Sequence, residues 1–268
     1  MSNPRTEPFD STSRPAAGAS HRPRTARARR ACDGLRNAAR LALPQRCVLC
    51  VAAAGTALLC DRCTAALPRL PEACPICALP CPGGATCGAC LAHPPHYAAT
   101  IAALVYAFPV DRLLQQLKYG GRLALADWAA AALAAVVASS LAGRAGTPLP
   151  DRVVALPLAA ARQRERGFNQ AREIALRVAS AVALPLATPL LRVTGGPPQA
   201  ALSWTERARN VRGAFAIEGD VRDARIALVD DVMTTGATLA EAARTLKRAG
   251  AAQVDCWVVA RTLRPGSG

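Results

Sequence analysis

Two adjacent carboxylates, Asp230 and Asp231, close an apolar run and are followed, after Val232 and Met233, by Thr234-Thr235-Gly236-Ala237-Thr238. In a loop of such small side chains, successive backbone N–H groups can converge on one anion, and three threonine hydroxyls add donors. Gly236 permits a tight turn there. The phosphate-sized half of this unit takes a phosphate monoester. The carboxylates upstream would repel a second phosphate but accept hydrogen bonds from neighbouring hydroxyls or help hold Mg²⁺. A phosphate beside a vicinal diol describes a ribose 5-phosphate. Neither of the competing glycine signatures, Gly-x-x-x-x-Gly-Lys-Ser/Thr or Gly-x-Gly-x-x-Gly, occurs in the chain.

A second group of donors lies earlier. Arg162, Arg164 and Arg166 fall within residues 158–167, directly after a short apolar run at 153–156 that Pro157 ends. Three arginines on a loop after a parallel strand point to a polyanion bound at the strand's carboxyl end. A solvated basic loop is the plainer alternative.

The third group is made of cysteines. Cys47-x2-Cys50 is followed after nine residues by Cys60-x2-Cys63, and Cys74-x2-Cys77 is followed at the same spacing by Cys87-x2-Cys90. The second set repeats the first with an offset of 27 residues, an internal duplication. Each Cys-x2-Cys turn presents two thiolates, and two turns complete a tetrahedral four-cysteine site for zinc. The expectation is a structural zinc at one or two sites, since a complete set of four thiolates leaves no position for reacting water. So small a module buries little apolar surface, so zinc would supply most of its folding free energy, on the order of 10 kcal/mol per site. Disulfides have no support, because no apolar secretory segment precedes the cysteines. A redox pair would not need four evenly repeated turns. Cys81 aligns with Ala54 in the first repeat and reads as a bystander; Cys32 and Cys256 read as unpaired, and His93 and His96 as linker residues.

The elements that must position these groups are legible in outline. Residues 226–229 predict a buried parallel strand, and Leu239, Ala242, Ala243, Leu246 and Ala249 recur at helical spacing from Thr238 until Gly250 caps the helix. The dipole of that helix adds positive potential to the Thr/Gly loop. Further strands are expected at 100–108, 153–156 and 254–260, and helices at 110–119 and from Asn169 onward, where Ala171, Ile174, Ala175, Val178 and Val182 share a face. Residues 123–142 form an Ala-rich helix carrying Asp127, expected to pack on a sheet and not to span a membrane. The polar stretch 195–213 has the place of a mobile lid, or of a plain surface loop.

At 268 residues the chain has room for one full α/β domain and a smaller module. The net charge is +15, and residues 1–46 hold ten arginines against Glu7, Asp10 and Asp33, a surplus of seven. The segment 1–30 is expected to be disordered. A transit peptide, an overextended start or a nucleic-acid-binding arm would share its composition. The divisions expected are 1–43, a basic extension; 44–94, a double zinc ribbon; and 95–263, the α/β domain.

The run Asp230-Asp231-Val-Met-Thr-Thr-Gly-Ala-Thr238 resembles the phosphoribosyl-pyrophosphate (PRPP) motif of type I phosphoribosyltransferases. Together with the cysteine repeat, Arg166-Gly-Phe-Asn-Gln170, Gln199-x-x-Leu202-Ser203 and Arg207-x-x-Asn210-Val211, it makes residues 44–262 similar to the ComF family, which includes ComFC-type competence factors and GntX-like proteins. The resemblance implies an α/β, type I phosphoribosyltransferase fold, a mostly parallel central sheet flanked by helices, behind a small N-terminal double zinc ribbon. It implies a link to DNA uptake, a cytoplasmic location, and PRPP bound with Mg²⁺. Asp230 and Asp231 would be the catalytic pair on the ribose hydroxyls, with Thr234, Thr235, Gly236, Ala237 and Thr238 on the 5-phosphate. Arg162, Arg164 and Arg166 would form a pyrophosphate loop. Single-stranded DNA and other competence proteins are the further partners implied.

Two departures from the family pattern stand out. Ala159 to Ala161 occupy the place where relatives carry a His and another Arg, which weakens the grip on pyrophosphate. Thr234 stands where purine-salvage enzymes carry an Asp that accepts a proton, and Thr cannot do so at neutral pH. The acceptor is therefore open. A non-catalytic adaptor that binds single-stranded DNA, with PRPP or a nucleotide as ligand, is the alternative function.

Overall fold

The structure, a computed structural model, describes residues 45–143, 149–193 and 211–263. The basic extension, most of the 195–213 stretch and the last five residues lie outside them, and with them the expectations of disorder and of a lid.

The described residues all belong to one compact unit. It opens with the cysteine-bearing segment: β1 (Gln45–Arg46) and β2 (Ala53–Gly55) pair antiparallel, α1 (Asp61–Ala65) begins directly after Cys60, and α2 (Gly88–Ala92) directly after Cys87. Then come β3 (Ala99–Val105), α3 (Val110–Tyr119), α4 (Ala124–Ala142), β4 (Arg152–Ala155), α5 (Ala160–Arg166), α6 (Gln170–Ala181), β5 (Leu186–Ala187), β6 (Leu190–Arg192), β7 (Phe215–Ile217), β8 (Arg225–Met233), α7 (Ala237–Arg248) and β9 (Gln253–Arg261). Five strands make a parallel sheet in the order β3-β9-β8-β4-β5, and β6 and β7 form a separate antiparallel pair.

Each central strand buries both faces, as a parallel sheet covered by helices must. Ala227 and Val229 of β8, Trp257 and Val259 of β9 and Val153 of β4 join a core with Leu113, Leu114 and Leu117 of α3, Leu133 of α4 and Ile174 of α6. Ile226 and Leu228, Cys256 and Val258, and Val154 face the other way, onto Leu239, Ala242, Ala243 and Leu246 of α7. The helix α4 is long and apolar enough to cross a membrane. Here Leu125, Ala129, Ala130, Leu133 and Val137 are buried against the rest of the protein. Its one carboxylate, Asp127, is held by Arg177 of α6, which also bonds Glu173 at 2.8 Å.

The stretch from Pro68 to Pro75, which leads into the second cysteine set, runs along β3. Val105 N–H donates to Pro68 O at 2.8 Å and Thr100 N–H to Pro75 O at 2.9 Å, with an antiparallel bridge between Arg69 and Leu104. The cysteine module thereby covers a sheet edge that would otherwise offer unpaired backbone groups.

Connections leave β4 toward β5 and leave β8 toward β9, in opposite directions across the sheet. A crevice opens at such a switch point, beyond the carboxyl ends of the two strands. The loops after β4 and β8 both end there.

Three differences from expectation exceed a single residue. Strand β8 continues through both aspartates to Met233 instead of ending at Val229. Strand β3 stops at Val105, before the expected 108. The arginine stretch is the helix α5, not a loop. Ala160-Ala161-Arg162-Gln163-Arg164-Glu165-Arg166 are all good helix formers, and Gly167 closes the turn in the left-handed region at φ +76°.

Candidate functional site

The duplication seen in the cysteines is repeated by the backbone. Val51 N–H donates to Cys47 O and Ala78 N–H to Cys74 O; Cys47 N–H donates to Ala52 O and Cys74 N–H to Leu79 O. Val51 and Ala78, 27 residues apart, are both left-handed, at φ 64° and 55°. Each knuckle thus folds its Cys-x2-Cys turn the same way. The Sγ atoms of Cys47, Cys50, Cys60 and Cys63 lie within 4.8 Å of one another, and so do those of Cys74, Cys77, Cys87 and Cys90. Cys50 and Cys60 sulfurs are 3.6 Å apart, and Cys77 and Cys87 sulfurs 3.7 Å. A tetrahedron of zinc–sulfur bonds of about 2.3 Å has edges of about 3.8 Å, while a disulfide is about 2.0 Å, so both sets fit zinc and not a disulfide. Burial opposes the Cys47 thiolate, yet knuckle N–H groups outweigh it and bring the thiol down to about 6; Cys74 comes down to about 7 in the same way. Cys81 belongs to neither set, and His93 and His96 are exposed.

At the crevice, the two aspartates stand side by side near the end of β8, where Asp231 N–H donates to Asp230 Oδ1 at 2.8 Å. Asp231 follows Val229 onto the face of α3, where Lys118 Nζ lies 2.6 Å from its Oδ2. Asp230 keeps part of its surface open to solvent. Even so, burial of the carboxyl, and then the charge of Asp231, push it well above the ordinary carboxylate range. Burial works against the Lys118 ammonium, but Asp231 and Asp230 outweigh it and leave it above its usual value.

Beyond Met233 the chain turns through Thr234 and Thr235 to Gly236, which sits at φ +82° before the first residue of α7. A Cβ there would lie 3.0 Å from the buried Tyr97 hydroxyl. Thr235 Oγ1 accepts from Ala237 N–H at 3.1 Å, which fixes the turn. Thr234 is exposed and Thr238 half-buried in the first turn of α7. The N–H groups of a twelve-residue helix begin at this loop.

Across the crevice, the helical phase of α5 sorts its arginines. Arg162 and Arg166, four residues apart, share a face and are half-buried; Arg164 is exposed on the opposite side. Arg166 donates to the Tyr119 hydroxyl at 3.2 Å, lies 4.8 Å over that ring, and donates to Gln170 Oε1 at 3.3 Å. Two buried donors, Arg166 Nε and Gln170 Nε2, meet no acceptor among the described residues. A buried donor left unmade costs roughly 1–3 kcal/mol, which an incoming anion would recover. Asn169 caps α6, accepting from Arg172 N–H at 3.3 Å and donating to Leu156 O at 3.0 Å, so the donors are held on a fixed helix start.

Three site residues were not singled out from the sequence. Lys118 and Tyr119 end α3 and hold Asp231 and Arg166 respectively, so one helix terminus braces both halves of the crevice. Their signal was local: a cation and an aromatic before Gly120-Gly121. Arg192 of β6 lies 5.5 Å over the Phe215 ring. Burial lowers its pKa, Arg162 lowers it further and Asp230 pulls the other way, which puts these three charges in one neighbourhood. Nothing around Arg192 in the sequence announces that.

The arrangement has a Thr/Gly loop at a helix N-terminus, a carboxylate beside it and two unsatisfied donors, Arg166 Nε and Gln170 Nε2, opposite. A family model described as "Phosphoribosyl transferase domain" matches residues 133–266, and one described as "Double zinc ribbon domain" matches residues 38–91. The "DNA utilization protein YhgH" of Salmonella typhi is 37% identical over 177 residues, 65% of this chain and 76% of that protein. "Competence protein F" of Haemophilus influenzae is 30% identical over 163 residues, 58% of this chain and 69% of that protein. Among solved structures, a purine phosphoribosyltransferase from Pyrococcus horikoshii is 21% identical with a TM-score of 0.31, over 50% of this chain and 71% of that one.

Proposed function

The chain belongs to the ComF family, a phosphoribosyltransferase domain behind a double zinc ribbon, and on that premise we propose that its crevice binds PRPP with Mg²⁺ and transfers the phosphoribosyl group during the handling of DNA in natural competence. What carries the reading is the opposition, at the sheet's switch point, of a Thr/Gly loop on a helix N-terminus and two unsatisfied buried donors, Arg166 Nε at the end of α5 and Gln170 Nε2 at the start of α6.

The loop 234–238 and the first turn of α7 hold the 5-phosphate. Asp230 accepts from the ribose hydroxyls. Arg166 and Gln170 donate to the pyrophosphate from the far side, with Arg162 and Arg192 adding positive potential. Asp231 keeps its place through Lys118. Asp230, a carboxylate held above its ordinary range that a divalent cation would relieve, would help hold Mg²⁺, and the ion when bound would supply neutralising charge for the departing pyrophosphate. The bond from C1 to pyrophosphate breaks with its electron pair leaving on oxygen, and an acceptor atom supplies the new pair to an oxocarbenium-like carbon. No side chain in the described crevice offers itself as a base for that acceptor. The zinc sites are structural and the location cytoplasmic, where thiolates stay reduced.

Calorimetry with PRPP and Mg²⁺ on the zinc-loaded chain tests this. The parent binds and Asp230→Asn loses most of the affinity; equal affinity overturns the assignment. Pyrophosphate release with a panel of acceptors then separates catalysis from the second reading, an adaptor that holds single-stranded DNA and uses PRPP or a nucleotide as ligand. The +15 charge favours that adaptor. It requires oligonucleotide binding that falls steeply with salt and is lost when zinc is chelated.

A further inference from the structure

The last residue of β9, Arg261, is an arginine with 1% of its surface exposed. Its Nε donates to Cys77 O at 2.8 Å. Its Nη1 donates to Met233 O at 2.8 Å, to Thr234 O, and to Thr262 O at 3.1 Å. Cys77 belongs to the second cysteine set, and Met233 and Thr234 lead into the phosphate loop. One buried guanidinium thus joins a metal knuckle to an anion loop across 184 and 28 residues of sequence.

Other contacts run along the same line. Thr100 Oγ1 donates to Ile76 O at 2.6 Å, inside the same knuckle. Tyr97 is buried directly after the module, and its hydroxyl approaches Gly236 closely. Ile76 packs beside the core that contains Tyr97, Met233 and Leu239. The first cysteine set is placed differently: Cys47 and Leu59 join the opposite core, with α3 and α4, and Cys50 is exposed. The two sets are alike in backbone and unlike in what they touch.

We propose that Arg261 is a positioning residue that ties the second zinc knuckle to the phosphate loop, so that metal at Cys74, Cys77, Cys87 and Cys90 holds residues 233–236 in their ligand-binding shape, whereas metal at the first set does not. Arg261 meets no substrate in this role. The planar fork does what a flexible cation cannot, because its nitrogens reach carbonyls of two segments at once in fixed directions. A knuckle without metal loses its reason to keep Cys77 O at that point, and the fork then loses its hold on that knuckle. The proposal rests on the PRPP reading for its ligand, but not for its mechanics.

The test uses the full zinc-loaded chain with two readouts, amide hydrogen exchange over residues 233–238 and PRPP affinity by calorimetry. Arg261→Lys keeps the charge and removes the fork. It is expected to retain both zinc ions, to speed exchange in the loop by about tenfold or more, and to weaken PRPP binding by a similar factor. Cys87→Ser, which leaves Arg261 in place, is expected to act on the loop in the same direction, and Cys60→Ser to leave loop exchange and affinity within about twofold of the parent. Loop exchange unchanged in both Arg261→Lys and Cys87→Ser overturns the proposal. So does an equal response to Cys60→Ser and Cys87→Ser, since the link would then be general stability. Should the parent bind no PRPP while loop exchange responds as stated, the PRPP reading falls and the coupling stands.

Discussion

Removing the ammonium from Lys118 is the perturbation with the most direct structural arithmetic. Its Nζ lies 2.6 Å from Asp231 Oδ2, with side-chain exposures of 20% and 10%. Breaking a fully buried pair by deleting one partner costs about 3–5 kcal/mol, and an exposed pair is worth about 0–1. Four-fifths burial on one side and nine-tenths on the other, discounted for the water that still reaches Lys118, places Lys118→Met at about 2–3 kcal/mol. The methionine keeps the apolar stem, so packing changes little. For a chain of this size that is a fall in Tm of roughly 4–12 °C. The assay is thermal and urea unfolding at saturating zinc, so that metal loss does not blur the transition, combined with Asp231→Asn in a double-mutant cycle. The coupling energy is expected at about 2 kcal/mol. The pH dependence has a definite sign. Lys118 is raised in the folded state, so its contribution is fully present below its ordinary value of 10.5 and is lost only as pH climbs through the higher folded one. The Lys118→Met deficit should therefore not shrink until pH climbs past about 10. A deficit under about 0.5 kcal/mol, or no coupling to Asp231, would refute the claim that Lys118 fixes the acidic strand end.

Asp230→Asn should act on stability and function in opposite senses. Burial and Asp231 raise Asp230, so the parent loses stability as pH climbs from near its ordinary value of 3.8 through the raised one. The variant is expected to melt higher than the parent at about pH 7 and level with it at about pH 4, while binding PRPP poorly; a lower melting temperature at neutral pH contradicts the burial argument. Gly236→Ala must hold a Cβ at φ +82° and 3.0 Å from the Tyr97 hydroxyl, a cost of about 1–2 kcal/mol in urea unfolding, together with weaker phosphate binding. The phase of α5 separates its arginines: Arg166→Ala should weaken PRPP binding by about tenfold or more, and Arg164→Ala by less than about twofold, measured by calorimetry. Equal losses would mean that the exposed Arg164 also reaches the ligand.

What the sequence determined by itself were the features whose signal is local. Thr234-Thr235-Gly236-Ala237-Thr238 after two aspartates can be read as an anion loop because the turn, the donors and the helix start are contiguous. The zinc knuckles are legible for the same reason, each being a turn of four residues whose copy lies 27 residues on. The buried strands announce themselves through apolar runs. Even the helix α5 could have been read from its helix formers and Gly167, had Pro157 and three arginines not suggested a loop. Only the tertiary structure decided which groups face one another. Strand β8 continues through Asp230 and Asp231, which sets both carboxyls beside Lys118 at the end of another element. Lys118 finds Asp231 because α3 ends above that strand, and Arg166 finds Tyr119 for the same reason. Arg192 and Arg261 carry no local signal at all, since their partners lie on other elements and a guanidinium in sequence looks like any other surface cation. Strand order at the switch point is set by which faces bury against which helices, and that is a property of the whole core.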